Sequence, residues 1–341
     1  MVNNHFVPQF ILKNFCKDGK LQYNDVLNKT TEQRSTRSVF SEKGYYPDEL
    51  EKDLCYKIEA QFAKLLNNKI INERYRITID SSDMLVLKKF LIVTMLRVRN
   101  EDLDHNIWYK ELVRDDIFPN DLVTKESLKG DFINAITSVL NCNKLEELLD
   151  ITHREKDINL FSFVRDAIYS YNVFVRTNNC KEDFIISDRG WAGYRGPVGV
   201  KKLNAMINML AIRYDPLIDM ILHMSSPQDY AVYPLSSNMA LIAVSPAYKI
   251  YLPGSPYNII YSDEAPTLSK CLGFGTSDTI APSDNRIRRD GSKEYRYSIK
   301  QLTRSDVSFL NGLLINQADR YYAYADKDRI KYSLEKNGCF Q

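Results

Sequence analysis

The chain has 341 residues, of which 44% are hydrophobic and 11% aromatic, a composition that excludes a disordered polymer and suffices for one large domain or two small ones. With 46 Lys and Arg against 44 Asp and Glu, the net charge of +2 gives no global argument for a nucleic-acid or anionic-membrane partner, so any charge argument must be local. Six scattered cysteines lack metal-binding spacing and read as reduced thiols, the N-terminus lacks a secretory pattern, and the apolar run Phe90–Leu96 is too short for a bilayer; a cytoplasmic protein without a membrane span is expected.

Val7, Phe10, Ile11, Asn14 and Phe15 recur at helical spacing, and Pro8 suits a first turn, so a short helix is predicted from about Pro8 to Phe15. The turn "KDGK" and an edge strand at Leu21-Gln22-Tyr23 follow. Residues 27–44, polar and rich in Ser and Thr, read as a connecting loop. A helix then carries Leu50, Leu54, Ile58, Phe62 and Leu65 on one face. A second begins after Ser82, with Met84, Leu87, Leu91, Thr94, Met95 and Val98 as its stripe; it is apolar nearly all round and therefore central. A third spans 125–150 through Leu128, Phe132, Ile136, Val139 and Leu140, weakened by Gly130.

Near residue 170 the period changes. "YNVFVRTNNCKEDFIISD" reads as two strands on an Asn-Asn turn, "MALIAVSP" as another strand, and "RIRRDGSKEYRYSI" as a hairpin on Asp290-Gly291. Residues 201–224 are predicted helical, interrupted at Pro216, as a lid or inserted helical pair. A closing helix capped by Thr303 is predicted to bury Val307, Leu310, Leu314, Ala318, Tyr321 and Ala325. The expected fold is α+β, a helical N-terminal half packed on a mainly antiparallel β-sheet in the C-terminal half and closed by a C-terminal helix. Its expected parts are an N-terminal motif with a polar loop (1–48), a helical region (49–165) and a β-rich region (166–341), as two lobes of one domain.

Four groups of residues offer chemistry. His5 precedes the predicted helix mouth at Pro8, where free N–H groups favour an anion and a neutral imidazole, and Gln9 could orient a phosphate or carbonyl. The bland alternative is one hydrogen bond tying the chain entry to the fold. Asp188 ends the strand "FIISD" before Arg189-Gly190, as a base, a metal ligand or an Asx-turn. Arg97 and Arg99 end the apolar second helix and need a phosphate, the helix's own carbonyls, or Glu51 or Glu59. Along the hairpin, Arg286, Arg288, Arg289, Lys293, Arg296, Lys300 and Arg304 outnumber Asp290 and Glu294. With Tyr295 and Tyr297 alternating through it, one face could bind a nucleic-acid backbone and the other its bases, or the whole could be a solvated hairpin. P-loop, GxGxxG, GxSxG, HExxH and EF-hand patterns are absent, against the commoner NTPases, dinucleotide enzymes, hydrolases and metalloproteases.

The opening "NHFVPQFILKNF" with "DGKLQYND" resembles a bacterial family known as domain of unknown function 4238. "GYYPDELEKDLCYKIE", "MLRVRN", "FIISD", "YPLSSNMAL" and "LNGLLINQADRYYAY" are similar to its later segments, and the chain departs where Arg189-Gly190 replaces Asn-Pro. The resemblance implies no reaction, but favours His5, Gln9, Arg97 and Asp188 as one site. Two functions follow as expectations. The first is an enzyme on a phosphate-bearing substrate, most simply a nuclease in phage defence. There His5 would be general acid/base, Arg97 would stabilise phosphate charge, Gln9 would position substrate, and Asp188 would orient His5 or hold Mg²⁺ or Mn²⁺. The second is a non-catalytic module binding nucleic acid or a protein through residues 286–304. Oligomeric state is left open.

Overall fold

Asn3–His5 forms strand β1, antiparallel to β4 (Ser41–Lys43) with His5 opposite Ser41. Pro8 follows at φ −56° and opens helix α1 (Gln9–Lys13), which buries Ile11 and Leu12. Asp18 and Gly19, both at positive φ, reverse the chain between Lys17 and Lys20 into β2 (Leu21–Asp25). The computed structural model describes residues 3–97, 125–148, 167–168, 170–177, 181–194, 230–244, 286–287 and 293–338.

The expected loop 27–44 instead holds β3 (Thr30–Arg34) and β4. β3 is the outermost strand of a four-stranded sheet and almost wholly exposed, so its TTEQR sequence carries no apolar alternation. Helix α2 (Asp48–Asp53) runs through a π segment, Leu54–Glu59, into α3 (Ala60–Leu65) and a second π segment, Leu66–Ile70. Its predicted stripe of Leu50, Leu54, Ile58, Phe62 and Leu65 is buried throughout, and Phe62 stacks on Phe90 at 3.8 Å between ring centroids.

β5 (Arg76–Asp80) leads into the central helix α4 (Ser81–Leu96). Asp80 and Asp83 form a reciprocal capping box at its start. Lys88 is fully buried on this helix with no carboxylate beside it among the described residues; burial brings its pKa down to about 7, and its Nζ donates to Ala167 O, Ser170 O, Ser170 Oγ and Asn172 Oδ1 at 2.7–3.2 Å. α5 (Lys125–Asn141) packs against α4, where Lys89 Nζ donates to Leu140 O.

The main sheet runs β13 (Lys300–Gln301), β6 (Tyr171–Arg176), β10 (Met239–Val244), β9 (Tyr230–Ser236), β8 (Ala192–Tyr194), antiparallel except for β13 beside β6. A second sheet orders β11 (Arg286–Ile287), β12 (Lys293–Ser298) and β5. The four-stranded sheet orders β3, β2, β14 (Tyr321–Tyr324) and β7 (Ile186–Ser187). The fold is α+β, as expected. The first half nevertheless supplies five strands, and β2 with β14 and β5 with β12 join segments that the predicted divisions at 48 and 165 hold apart.

Two further expectations need correction. β7 does not return on β6 as a hairpin but pairs with β14. The closing helix α6 (Arg304–Asn316) buries Val307, Leu310 and Leu314 behind its Thr303–Asp306 capping box, yet it stops before the tyrosines. Tyr321–Tyr324 is a strand held on both edges, because aromatic residues fit a paired, half-buried ladder better than another helical turn. A short helix, α7 (Lys331–Lys336), follows. The Asn-Asn turn and the predicted helices of 201–224 lie outside the described residues. No helix among the described residues is long and apolar enough to cross a membrane.

Candidate functional site

His5 is positioned by the β1–β4 pairing rather than by a helix mouth, which corrects the expected anion pocket. α1 has only five residues, and the Ile11 and Leu12 N–H groups already donate to Pro8 O. Gln9 lies one turn on, and its Nε2 donates to His5 Nε2 at 2.8 Å. Gln9 is thus tied to the imidazole instead of facing a ligand, and this contact puts the ring proton on Nδ1. Burial lowers the His5 pKa; the Val39 backbone and Glu59 oppose that and Arg97 adds to it, so the expected neutral ring has burial as its main cause. Nδ1 itself is buried and makes no well-formed hydrogen bond, the Val39 backbone being the group that acts on the ring as an acceptor.

Arg97 comes to the same place from the end of α4. Its Nη2 donates to Glu59 Oε1 at 2.5 Å, its Nη1 lies 3.5 Å from His5 O, and its Nε is buried without a partner. Burial acts to lower the guanidinium, but Glu59, Tyr46 and Glu51 outweigh it and hold the proton. Glu51 and Glu59 reach this spot from α2 and the π segment after it, a widened turn of the kind often found at functional sites.

The cluster continues into residues that sequence reasoning missed. Asn4 Oδ1 accepts from Tyr46 N at 3.2 Å, whereas Asn4 Nδ2, Tyr46 Oη and Glu51 Oε2 are buried with no partner. Burial pushes the Glu51 carboxyl up, while the nearby Asn4 amide and Arg97 pull it back; Asn4 acts on Glu51 without a well-formed hydrogen bond. Burial also drives the Tyr46 phenol far above its ordinary value. Cys55 stands exposed beside Glu51 and Glu59, its thiol raised by burial and both carboxylates, which is the wrong direction for a nucleophile. Asn4, His5, Tyr46, Glu51 and Arg97 thus leave five buried polar atoms without a well-formed hydrogen bond in one electrostatic neighbourhood.

Asp188 does not join them. Its Oδ1 accepts from Asp319 N and its Oδ2 from Arg320 N and Tyr321 N, all at 2.8–2.9 Å. The carboxylate therefore knots the β7 turn to the start of β14, and its three hydrogen bonds all go to that backbone and none to His5. Arg189, which stands where the resembled family has Asn, donates through Nε to Asp319 Oδ1 at 2.6 Å and through Nη2 to the same atom. Gly190, at φ +73°, brings this turn against Val7 and Thr94.

The family model described as "Protein of unknown function (DUF4238)" matches residues 3–328. The chain belongs to the DUF4238 family. No curated protein and no solved structure matches it.

The other candidate surface of this DUF4238 member loses its aromatic half. Tyr295 and Tyr297 are each 1% exposed, and the Tyr297 ring packs on Phe174 5.3 Å away, so neither can stack on a base. The reason is register: β12 alternates, and both tyrosines fall on its buried face while it pairs with β5. Arg296 is half-buried on the other face, with Nε donating to Glu294 Oε1 at 3.2 Å. Arg286 lies in β11 and Lys293 begins β12. Arg288, Arg289 and Arg99 lie outside the described residues. Among the described residues no group of three or more His, Cys, Asp or Glu is arranged to hold a metal ion, so the Mg²⁺ or Mn²⁺ expectation has no ligand set there.

Proposed function

We propose that this protein is an enzyme acting on a phosphate-bearing substrate, most simply a nuclease, with the cluster around His5 as its centre. The observation that carries the reading is a half-buried imidazole, oriented by Gln9 and with no well-formed hydrogen bond at Nδ1, beside an ion-paired guanidinium. Imidazole is the side chain suited by type to proton exchange, and Gln9 fixes which nitrogen carries the proton. His5 is the general acid/base. Arg97 gives two nitrogens to Glu59 and the His5 backbone, so Nε is the part of it that remains for developing phosphate charge. Asp188 has no role in this mechanism, and Glu59 takes the carboxylate place near the imidazole.

The test is incubation of purified protein with RNA and with DNA, with and without Mg²⁺ or Mn²⁺, for the wild type, His5→Gln and Glu59→Gln. Cleavage by the wild type that drops at least about a hundredfold in His5→Gln, with the fold intact by circular dichroism, is the expected result. No cleavage of either nucleic acid, together with a wild-type phenotype for His5→Gln in a phage-plating assay, would end this reading.

A further inference from the structure

We propose that Asn4 Nδ2, Tyr46 Oη, Arg97 Nε and the Glu51 carboxyl line an oxyanion subsite that takes the phosphate of a phosphodiester next to His5. Asn4, Tyr46 and Arg97 are 0%, 5% and 4% exposed; Tyr46 Oη and Arg97 Nε have no protein partner, and Asn4 Nδ2 meets only the Glu51 carboxyl, without a well-formed hydrogen bond. Buried polar groups are normally paired, so several in one neighbourhood indicate an occupant. The kind of partner missing is also informative. Asn4 Nδ2 and Arg97 Nε only donate, Tyr46 Oη donates as well as accepts, and His5 Nδ1 carries a proton, while Glu51 Oε2 is the one carboxylate oxygen among them. An occupant rich in acceptor oxygens satisfies this set better than a water, which accepts only two hydrogen bonds.

Glu51 makes the subsite depend on protonation. As a carboxylate it repels an anion; as a neutral acid it becomes a further donor, and burial favours the neutral form. The charged and titratable groups acting on it are Arg97 from α4 and Glu59 from its own helical run; His5 from β1, Cys55 and the paired rings of Tyr45 and Tyr46 complete the surroundings. Arg97 and Glu59 already neutralise one another, so anion entry is coupled to uptake of one proton, chiefly by Glu51. This subsite rests on the acid–base reading above for its purpose, but binding is measurable without turnover.

The probe is dimethyl phosphate, a monoanion whose charge does not change across the range used, titrated into the full chain by calorimetry at roughly pH 5.5 and pH 8.0. The expected result is saturable binding that weakens about tenfold or more at the higher pH. Glu51→Gln should bind equally at both, because its amide imitates the neutral acid. His5→Gln should keep the wild-type slope, which separates Glu51 from the neighbouring imidazole. Tyr46→Phe should bind about tenfold more weakly, the effect of one lost hydrogen bond. If Tyr46→Phe does not fold, the slopes of wild type and Glu51→Gln decide alone. Absence of saturable binding by the folded wild type, or an unchanged slope in Glu51→Gln, overturns the subsite. Cleavage of nucleic acid without dimethyl phosphate binding sinks the subsite only, whereas binding without cleavage keeps it and removes the nuclease reading.

Discussion

Replacing Asp188 should damage the fold, not the chemistry, and the size of the loss follows from three hydrogen bonds. Its two oxygens accept from the backbone N–H groups of Asp319, Arg320 and Tyr321, and the residue is 2% exposed. Asp188→Ala leaves three amides without acceptors where water has little access. At about 1–2 kcal/mol for each unsatisfied group the expected cost is about 3–6 kcal/mol. That is a large share of the roughly 5–15 kcal/mol that holds a domain together. Asp188→Asn keeps one acceptor oxygen but turns an NH₂ toward at least one amide, so roughly half the loss is expected. Urea denaturation at pH 7 followed by circular dichroism measures both, with an earlier midpoint and unchanged slope as the signature. An Asp188→Ala protein within about 1 kcal/mol of the wild type, yet without activity, would refute the structural assignment and return Asp188 to the chemistry.

Glu59→Gln removes the carboxylate facing a guanidinium whose side chain is 2% exposed, while Glu59 itself is 22% exposed; a loss of about 2–4 kcal/mol in the same urea assay is expected, and a midpoint equal to wild type would contradict it. The His5 ring should titrate by NMR below about 6.5 in the folded protein, and lower still in Glu59→Gln, because Glu59 supports the charged form. Since the folded value is depressed, the stability tied to this ring is present above the unfolded value and is lost as pH falls through the folded one. A ring titrating at or above 6.5 would exclude burial as the controlling influence. Gly190→Ala should cost about 1–2 kcal/mol through its φ of +73°, since its Cβ would meet Thr94 Cγ2 and Val7 Cγ2 at a tolerable 3.4 Å; an unchanged thermal midpoint would speak against the strain.

The helices were legible because their stripes face one core: Leu50 to Leu65 and Met84 to Leu91 recur at a period that local chemistry imposes. β3 was hidden because an exposed edge strand has no apolar face, and β14 because its tyrosines extend the register of the helix before them. At the site, His5, Gln9 and Arg97 were found from residue type and position, and Glu51 and Glu59 were foreseen as partners for an arginine in an apolar helix. Asn4 and Tyr46 left no signal beyond their neighbours in "NNH" and "GYYP", since an unbonded atom is a property of three-dimensional surroundings. Asp188 drew attention because a carboxylate at a strand end is equally the mark of a site and of a turn. Lys88 offered its one clue as a basic residue inside an apolar run, but its four oxygen acceptors and a pKa brought down to about 7 by burial explain how it is tolerated there.

The pairing of β2 with β14 sets the timetable on which this molecule is completed. Asn24 and Tyr322 face each other about 300 residues apart along the chain, so as the polypeptide leaves the ribosome β2 must wait, with one edge open, until the whole stretch between them has been made. The groups around His5, by contrast, all come from residues 4–97 and emerge early. A nascent chain could therefore assemble its chemical centre well before its sheet is sealed, and nonsense variants lacking β14 should present that bare edge to neighbouring chains as a seed for aggregation.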